Sequence, residues 1–194
     1  LTASFPDDDS DDNSFTSEID YTNHVITVVF PYNYPKLSDN VLQLSDLKKM
    51  RVIADLDNNV YVYPTLLFMD MTKDNFITVK DQTGASTEYK VVAEIRKSNE
   101  CAITKFNITS LGLSGIINES TKTISLISLE SIGEVLADIS ISHGATISPD
   151  PRTVALNYDQ DQKITVTAQN GTTKSTYTVK KEIPEKIAAG LRAN

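Results

Sequence analysis

Side chains able to support nucleophilic catalysis are scarce in this chain of 194 residues. Its histidines are His24 and His143, and its only cysteine is Cys101. A catalytic histidine needs a nucleophile and an orienting acid beside it, but His24 precedes a predicted strand and His143 occupies a predicted turn in the other half of the chain. A reactive cysteine needs a nearby base or helix end to lower its pKa, and no helix is predicted near Cys101. The sequence therefore favours surface or turn histidines and a structural thiol.

An acidic run near the N-terminus is the candidate metal site. Asp7, Asp8, Asp9 and Asp11 could offer carboxylate oxygens to Ca²⁺. Consecutive acids mostly diverge into solvent, however, and no bidentate Glu follows at the spacing of a calcium loop. A solvated acidic loop is therefore the main interpretation and a weak Ca²⁺ site is the alternative. No other cofactor is predicted.

One loop is dense in aromatic residues and is the candidate ligand site. It runs from Phe30 to Pro35 and contains Tyr32, Asn33 and Tyr34. Sugars expose C–H groups that pack on aromatic faces, so tyrosines beside polar side chains are typical of glycan-binding loops. Tyrosines flanked by prolines also pin loops onto a domain, and the chain has no Trp. Both interpretations stay open at this point.

Acid–base hydrolysis and phosphate chemistry have weak support in the sequence. Glycoside hydrolysis needs two carboxyl groups facing each other across a cleft, and small β-sandwiches usually present surfaces without deep clefts. The chain holds only seven glycines and no glycine-rich phosphate loop. Asn157, Asp159 and Asp161 imitate the start of a calcium loop, but Gln162 replaces the required glycine, so a hairpin turn is predicted. We therefore expect no enzymatic activity.

Internal repetition is the most informative pattern in the chain. Stretches of alternating apolar and polar residues break at a glycine turn and then alternate again, which is typical of β-hairpins. The anchors of the first copy recur in the second at matching spacing: Asp20 and Asn118, Pro64 and Pro149, Ile77 and Ile164, Gly84 and Gly171, Tyr89 and Tyr177. The sequence therefore predicts a duplicated unit made of strands.

Each copy is predicted to form about seven short strands, as in immunoglobulin-like β-sandwiches. We therefore expect an all-β chain with two tandem immunoglobulin-like sandwich domains, at residues 1–97 and 98–183. Residues 184–194 are predicted to be a tail or the start of a further, truncated region. No segment has a sustained helical stripe, and Val41 to Met50 predicts a single turn at most.

The second copy resembles a family of repeated surface domains. The matching stretches are Ile103-Thr104-Lys105-Phe106, Gly115-Ile116-Ile117-Asn118, Lys122-Thr123-Ile124-Ser125-Leu126, residues 142–149 and residues 164–171. They are similar to the Ig-like or cadherin-like repeats of Bacteroides-type cell-surface lipoproteins of unknown function. The first copy departs from the pattern at Ala54-Asp55-Leu56-Asp57, where Ser-x-Gly-Ala is usual. The resemblance implies export to the cell surface or periplasm, an outer-membrane lipid anchor upstream and further domains in the same chain.

Three functional classes remain after these observations. The first is a structural or spacer module of an exported lipoprotein. The second is a glycan-binding or cell-adhesion module that recognises a glycan or surface protein through Tyr32 and Tyr34. The third, an enzyme, would need a cleft with converging acids. A spacer should pack the two rings, whereas a binding module should expose them. The net charge of −8 argues against nucleic acid as a partner.

Overall fold

The computed structural model describes residues 1–184, which fall into two compact units. The first unit is Leu1–Lys97 and the second begins at Ser98. From residue 185 onward, the segment predicted as a tail lies outside the described residues. No helix within residues 1–184 has the length and apolar character that a membrane crossing requires.

The first unit contains eight strands and one 3₁₀ turn at Leu44–Lys48, inside the segment for which a single turn was predicted. The strands are β1 Thr2–Ser4, β2 Phe15–Asp20, β3 Val25–Pro31, β4 Met50–Ile53, β5 Tyr61–Tyr63, β6 Phe68–Met69, β7 Asn75–Lys80 and β8 Ser86–Arg96. Their order is β5-β7-β8-β3-β2-β1-β4-β6. Strand β2 contributes to two layers, because Phe15 and Thr16 pair with β1 whereas Ser17 to Asp20 pair with β3.

The second unit has ten strands and a 3₁₀ turn at Thr109–Leu111. The strands are β9 Ile103–Ile108, β10 Leu113–Ser114, β11 Ile116–Asn118, β12 Thr123–Ile127, β13 Glu134–Val135, β14 Asp138–Ile141, β15 Thr146–Ser148, β16 Leu156–Asn157, β17 Gln162–Thr167 and β18 Lys174–Glu182. One sheet has the order β11-β12-β18-β17-β15, and two smaller sheets are β10-β9-β14 and β13-β16.

The main sheets of the two units share one strand order and one register. Strands β5-β7-β8-β3-β2 correspond to β15-β17-β18-β12-β11, and the pairs β3–β8 and β12–β18 are both parallel. Equivalent cross-strand pairs are Ile77 with Tyr89 and Ile164 with Tyr177, and Ile26 with Val91 and Ile124 with Val179. The repeated anchors thus occupy equivalent places in the two sheets.

The turns that follow β2 and β11 show why Asp20 and Asn118 recur at equivalent positions. Asp20 Oδ1 accepts the backbone N–H of Thr22, and Asn118 Oδ1 accepts that of Ser120. Short Asp and Asn side chains favour such turns, because they bond the backbone two residues onward. In the second unit, Gly115 separates β10 from β11, and an added Cβ there would lie 2.7 Å from a methyl carbon of Ile124.

Each unit encloses its own apolar core. The first core consists of inward-facing residues of its strands together with loop anchors: Ala3, Phe15, Ile26, Val28, Phe30, Leu42, Leu47, Met50, Val52, Met71, Ile77 and Val91. The second is built likewise: Ile103, Phe106, Ile108, Ile124, Leu126, Ile132, Ala137, Ile139, Tyr158, Ile164, Val166, Tyr177 and Val179. This alternation of buried and exposed positions is what two sheets packed face to face require.

The structure confirms the predicted fold class, because the chain is all-β and its sheets form sandwich-like domains. Eight and ten strands replace the seven or so predicted for each copy. The additional strands in the second unit arise mainly from two-residue ladders such as β13 and β16, and from the division of one strand at Gly115. Such short ladders leave no alternation long enough to be recognised in a sequence.

Candidate functional site

The aromatic loop leaves β3 and closes on itself. The N–H of Tyr32 donates to the Arg96 carbonyl at 3.0 Å, which extends the pairing of β3 with β8. The N–H of Tyr34 donates to the Asn40 carbonyl, and the N–H of Leu42 donates to the Tyr32 carbonyl. Leu42 is buried in the first core. Backbone hydrogen bonds and an apolar anchor therefore hold the loop against the domain.

Tyr34 packs inward. Its ring centroid lies 5.1 Å from that of Phe5 and 5.4 Å from that of Phe15, the latter in an edge-on arrangement. Its hydroxyl donates to a carboxylate oxygen of Asp8 and lies 3.4 Å from the Ser10 hydroxyl. Burial, reinforced by the Asp8 carboxylate, raises the pKa of Tyr34. The ring of Tyr34 is thus packed between the aromatic loop and the N-terminal segment that contains Phe5 and Asp8.

Asp8 connects the two predicted sites. The hydrogen bond from Tyr34, followed by those from the Ser10 backbone and hydroxyl, holds the pKa of Asp8 below its usual range. Asp7, Asp9 and Asp11 are exposed. Within residues 1–184, no group of three or more His, Cys, Asp or Glu side chains is arranged to hold a metal ion. The structure therefore brings one acid of the run onto the aromatic loop and leaves the other three in solvent.

Asn13 organises the acidic segment, a role that the sequence did not indicate. Its side-chain oxygen accepts the N–H of Phe5, and its amide nitrogen donates to the Phe5 and Asp8 carbonyls. Asn13 is one of the few buried polar residues in this unit. The side-chain amide of Asn13 thus forms the hydrogen bonds that the backbone groups of Phe5 and Asp8 need. Because these partners lie five and eight residues away in sequence, they leave no local motif.

Tyr32 and Asn33 form only part of a binding surface. Both are half-buried. The Nζ of Lys97 lies 5.0 Å from the centroid of the Tyr32 ring, so a cation covers one face of that ring. The amide of Asn33 lies 3.4 Å from the Asn40 carbonyl. The three predicted ligand residues thus share one loop but do not present a row of free aromatic faces.

Three further candidate groups, His24, Cys101 and Asp159, contact residues of their own domains. The ring of His24 lies tilted against that of Tyr89, with centroids 5.3 Å apart, at the hairpin turn before β3. Cys101 Sγ lies 3.1 Å from Ser175 Oγ. Asp159 accepts the N–H groups of Ile132 and Gly133, as expected of a residue that shapes a turn.

An open groove of about 660 Å³ lies in the second unit, near β13 and β14. Its charged side chains are Glu134, Asp138 and Arg152. Asp138 is paired with Lys105 at 2.7 Å, and Arg152 is paired with Asp150 at 2.8 Å. Two of the three charges are therefore already neutralised by neighbours.

Each of the two units matches one family model. Residues 1–93 match the family model described as Domain of unknown function (DUF5018). Residues 103–181 match the model described as Domain of unknown function (DUF8499). The chain is thus similar to two domains of unknown function, one after the other. No curated protein matches it.

A solved structure from Bacteroides thetaiotaomicron VPI-5482, described as a "putative glycoside hydrolase", is similar to part of the chain. The sequence identity is 26% and the TM-score is 0.39. The match covers 47% of this chain and 27% of that chain, so it spans about a quarter of that protein's length. At this TM-score the likeness carries no argument about activity.

Proposed function

We propose that the two domains are a non-enzymatic structural module that acts as a spacer in an exported cell-surface lipoprotein. The observation that carries the proposal is the packing of Tyr34 against Phe5 and Phe15, with its hydroxyl bonded to Asp8. A ring used in this way stabilises the domain and offers little surface to a ligand. The most aromatic loop of the chain thus serves the fold itself.

The direction in which the carboxyl pKa values are shifted supports a non-enzymatic role. A glycosidase needs a general acid whose pKa is raised. Eight carboxyl groups have a pKa that is lowered, in each case chiefly by a side-chain hydrogen bond: Asp8, Glu18, Asp20, Asp70, Asp81, Glu94, Asp150 and Asp159. These carboxylates are suited to fixing turns and ion pairs, and they stay charged at neutral pH.

The repeated architecture also supports a spacer. The main sheet of the second unit repeats the strand order of the main sheet of the first. Each unit has a separate core and therefore the means to stay folded by itself. The location at the cell surface rests on the resemblance of the second copy to lipoprotein repeats.

A display experiment tests the spacer role. The chain is placed between an outer-membrane lipoprotein anchor and a C-terminal epitope, and antibody access to the epitope is measured on cells that carry a surface polysaccharide layer. We expect deletion of residues 1–97 to reduce access and an unrelated β-sandwich of similar length to restore it. Unchanged access after the deletion, or failure of the replacement domain to restore it, would contradict the spacer role.

A further inference from the structure

Three aromatic rings stand exposed on the outer face of the first domain. Tyr61 is 63% exposed, Tyr63 is 75% exposed and Phe76 is 55% exposed. Side chains alternate across a strand, so Val62 packs against the core while Tyr61 and Tyr63 point outward from β5. In the same way Ile77 is buried and Phe76 points outward from β7. All three rings therefore lie on one side of the sheet.

The strand register places these rings in a strip. Tyr61 lies opposite Lys80 and Tyr63 lies opposite Thr78. Phe76 precedes Thr78 by two residues on the same face, so it is the diagonal neighbour of Tyr63. Steps along a strand and across such a diagonal are each about 7 Å, which gives a strip about 14 Å long. Because β5 is the outermost strand of its sheet, a ligand can approach the strip from the side as well as from above.

Polar groups border the strip. Lys80 and Thr78 stand beside the two tyrosines, and Glu88 lies opposite Thr78 on β8. The ion pair of Lys90 with Asp74, at 2.6 Å, lies beyond Phe76, which is the cross-strand partner of Lys90. The surface therefore combines flat apolar faces with hydrogen-bond donors and acceptors of both charges.

The second domain shows that the fold does not require these rings. By the anchors Pro64 with Pro149 and Ile77 with Ile164, the positions equivalent to Tyr61, Tyr63 and Phe76 hold Thr146, Ser148 and Lys163. The ladder register agrees, because Thr146 and Ser148 pair with β17 as the tyrosines pair with β7. The same sheet thus forms with a hydrophilic outer face. Exposed rings in only one of two equivalent sheets indicate a contact made by that sheet.

We propose that the outer face of β5 and β7 binds a neutral polysaccharide, with Tyr61, Tyr63 and Phe76 as stacking platforms. The rings expose about 400 Å² of surface in total, given their size and exposure. A stable protein–protein interface needs about 800 Å² from each partner, so a narrow ligand fits the strip better than a second protein. Sugar rings pack their C–H faces on aromatic faces, and their hydroxyls would meet Thr78, Lys80 and Glu88. This contact goes beyond the spacer role and is compatible with it.

Affinity electrophoresis of the intact chain tests the proposal. Native gels containing xyloglucan, galactomannan, arabinoxylan or mixed-linkage β-glucan serve as probes. We expect retardation by at least one of the four polymers. In the double variant Tyr61→Thr, Tyr63→Ser, which takes its residues from the second domain, the affinity should fall about tenfold or more.

Two control variants separate stacking from other effects. Tyr21→Ala removes a tyrosine that is 71% exposed in a turn away from the strip, and it should be retarded like the native chain. Tyr61→Phe with Tyr63→Phe keeps both rings and should retain most of the affinity. Circular dichroism verifies that each variant is folded. Absence of retardation in all four gels, or equal retardation of the native chain and the Thr/Ser variant, would overturn the proposal and leave the spacer role untouched.

Discussion

Replacement of Tyr158 by phenylalanine tests the core of the second domain. Tyr158 is fully buried, its ring meets Phe106 edge-on, and its hydroxyl has no hydrogen-bond partner within residues 1–184. A buried polar group without a partner costs about 1–3 kcal/mol. Tyr158→Phe removes that group with almost no change in shape. We therefore expect the variant to be more stable at pH 8 by about 1 kcal/mol.

Alkaline pH should enlarge this difference. Burial raises the pKa of Tyr158 to about 12 in the folded state, against about 10 in the unfolded chain. The folded pKa is the higher one, so the stability tied to this proton is complete below pH 10 and is lost as the pH rises towards 12. At pH 11 the unfolded state gains about 1.4 kcal/mol by releasing the proton. The advantage of the variant should therefore grow from about 1 kcal/mol at pH 8 to about 2.4 kcal/mol at pH 11.

Urea unfolding followed by circular dichroism measures both values, and Tyr21→Phe is the control because Tyr21 is exposed. The control should show no growing advantage between pH 8 and pH 11. An equal advantage of Tyr158→Phe at both pH values would refute the burial argument. A loss of stability at pH 8 would show that the hydroxyl makes a favourable contact in solution.

Three further predictions concern packing and organisation. Gly115→Ala should lower the stability of the second domain by about 1–3 kcal/mol, because the added methyl group meets Ile124; an unchanged melting temperature would contradict the close approach. Asn13→Ala should cost the first domain about 1–3 kcal/mol, since buried backbone groups lose their partners; urea unfolding measures this, and a loss below 0.5 kcal/mol would speak against the role of Asn13. The chain cut before Ser98 should yield two fragments that each fold, as read by circular dichroism, and an unfolded fragment would disprove that boundary.

The fold could be predicted from the sequence where an alternation of apolar and polar residues coincides with turn residues. The hairpins around Gly84 and Gly171 combine both signals, and the structure contains them at the predicted places. Their repetition reinforced the prediction, because two copies of a weak pattern are more informative than one. Short ladders such as β13 and β16 escaped detection, since two residues cannot show a period.

The candidate site could be predicted only in part from the sequence. The sequence identified the acidic run and the aromatic loop as separate candidates, but it could not show that Asp8 would meet Tyr34, a contact between residues 26 positions apart. Tyr61 and Tyr63 flank Val62 on β5 and therefore share one face of the strand, but alternation does not show whether another element covers that face. Tertiary contacts decide both questions, and a single sequence carries no signal for them.

Hydrogen exchange of the backbone amides between Tyr32 and Leu42 tests most directly whether the aromatic loop is held against its domain. The amide N–H groups of Tyr34 and Leu42 are bonded within the loop, and Leu42 is buried. We predict that both amides exchange at least a hundredfold more slowly than in an unstructured peptide, corresponding to an opening free energy of about 3 kcal/mol or more. Exchange at the unprotected rate would mean that the loop opens freely with Tyr34 available to a ligand, which would contradict the structural role proposed for it.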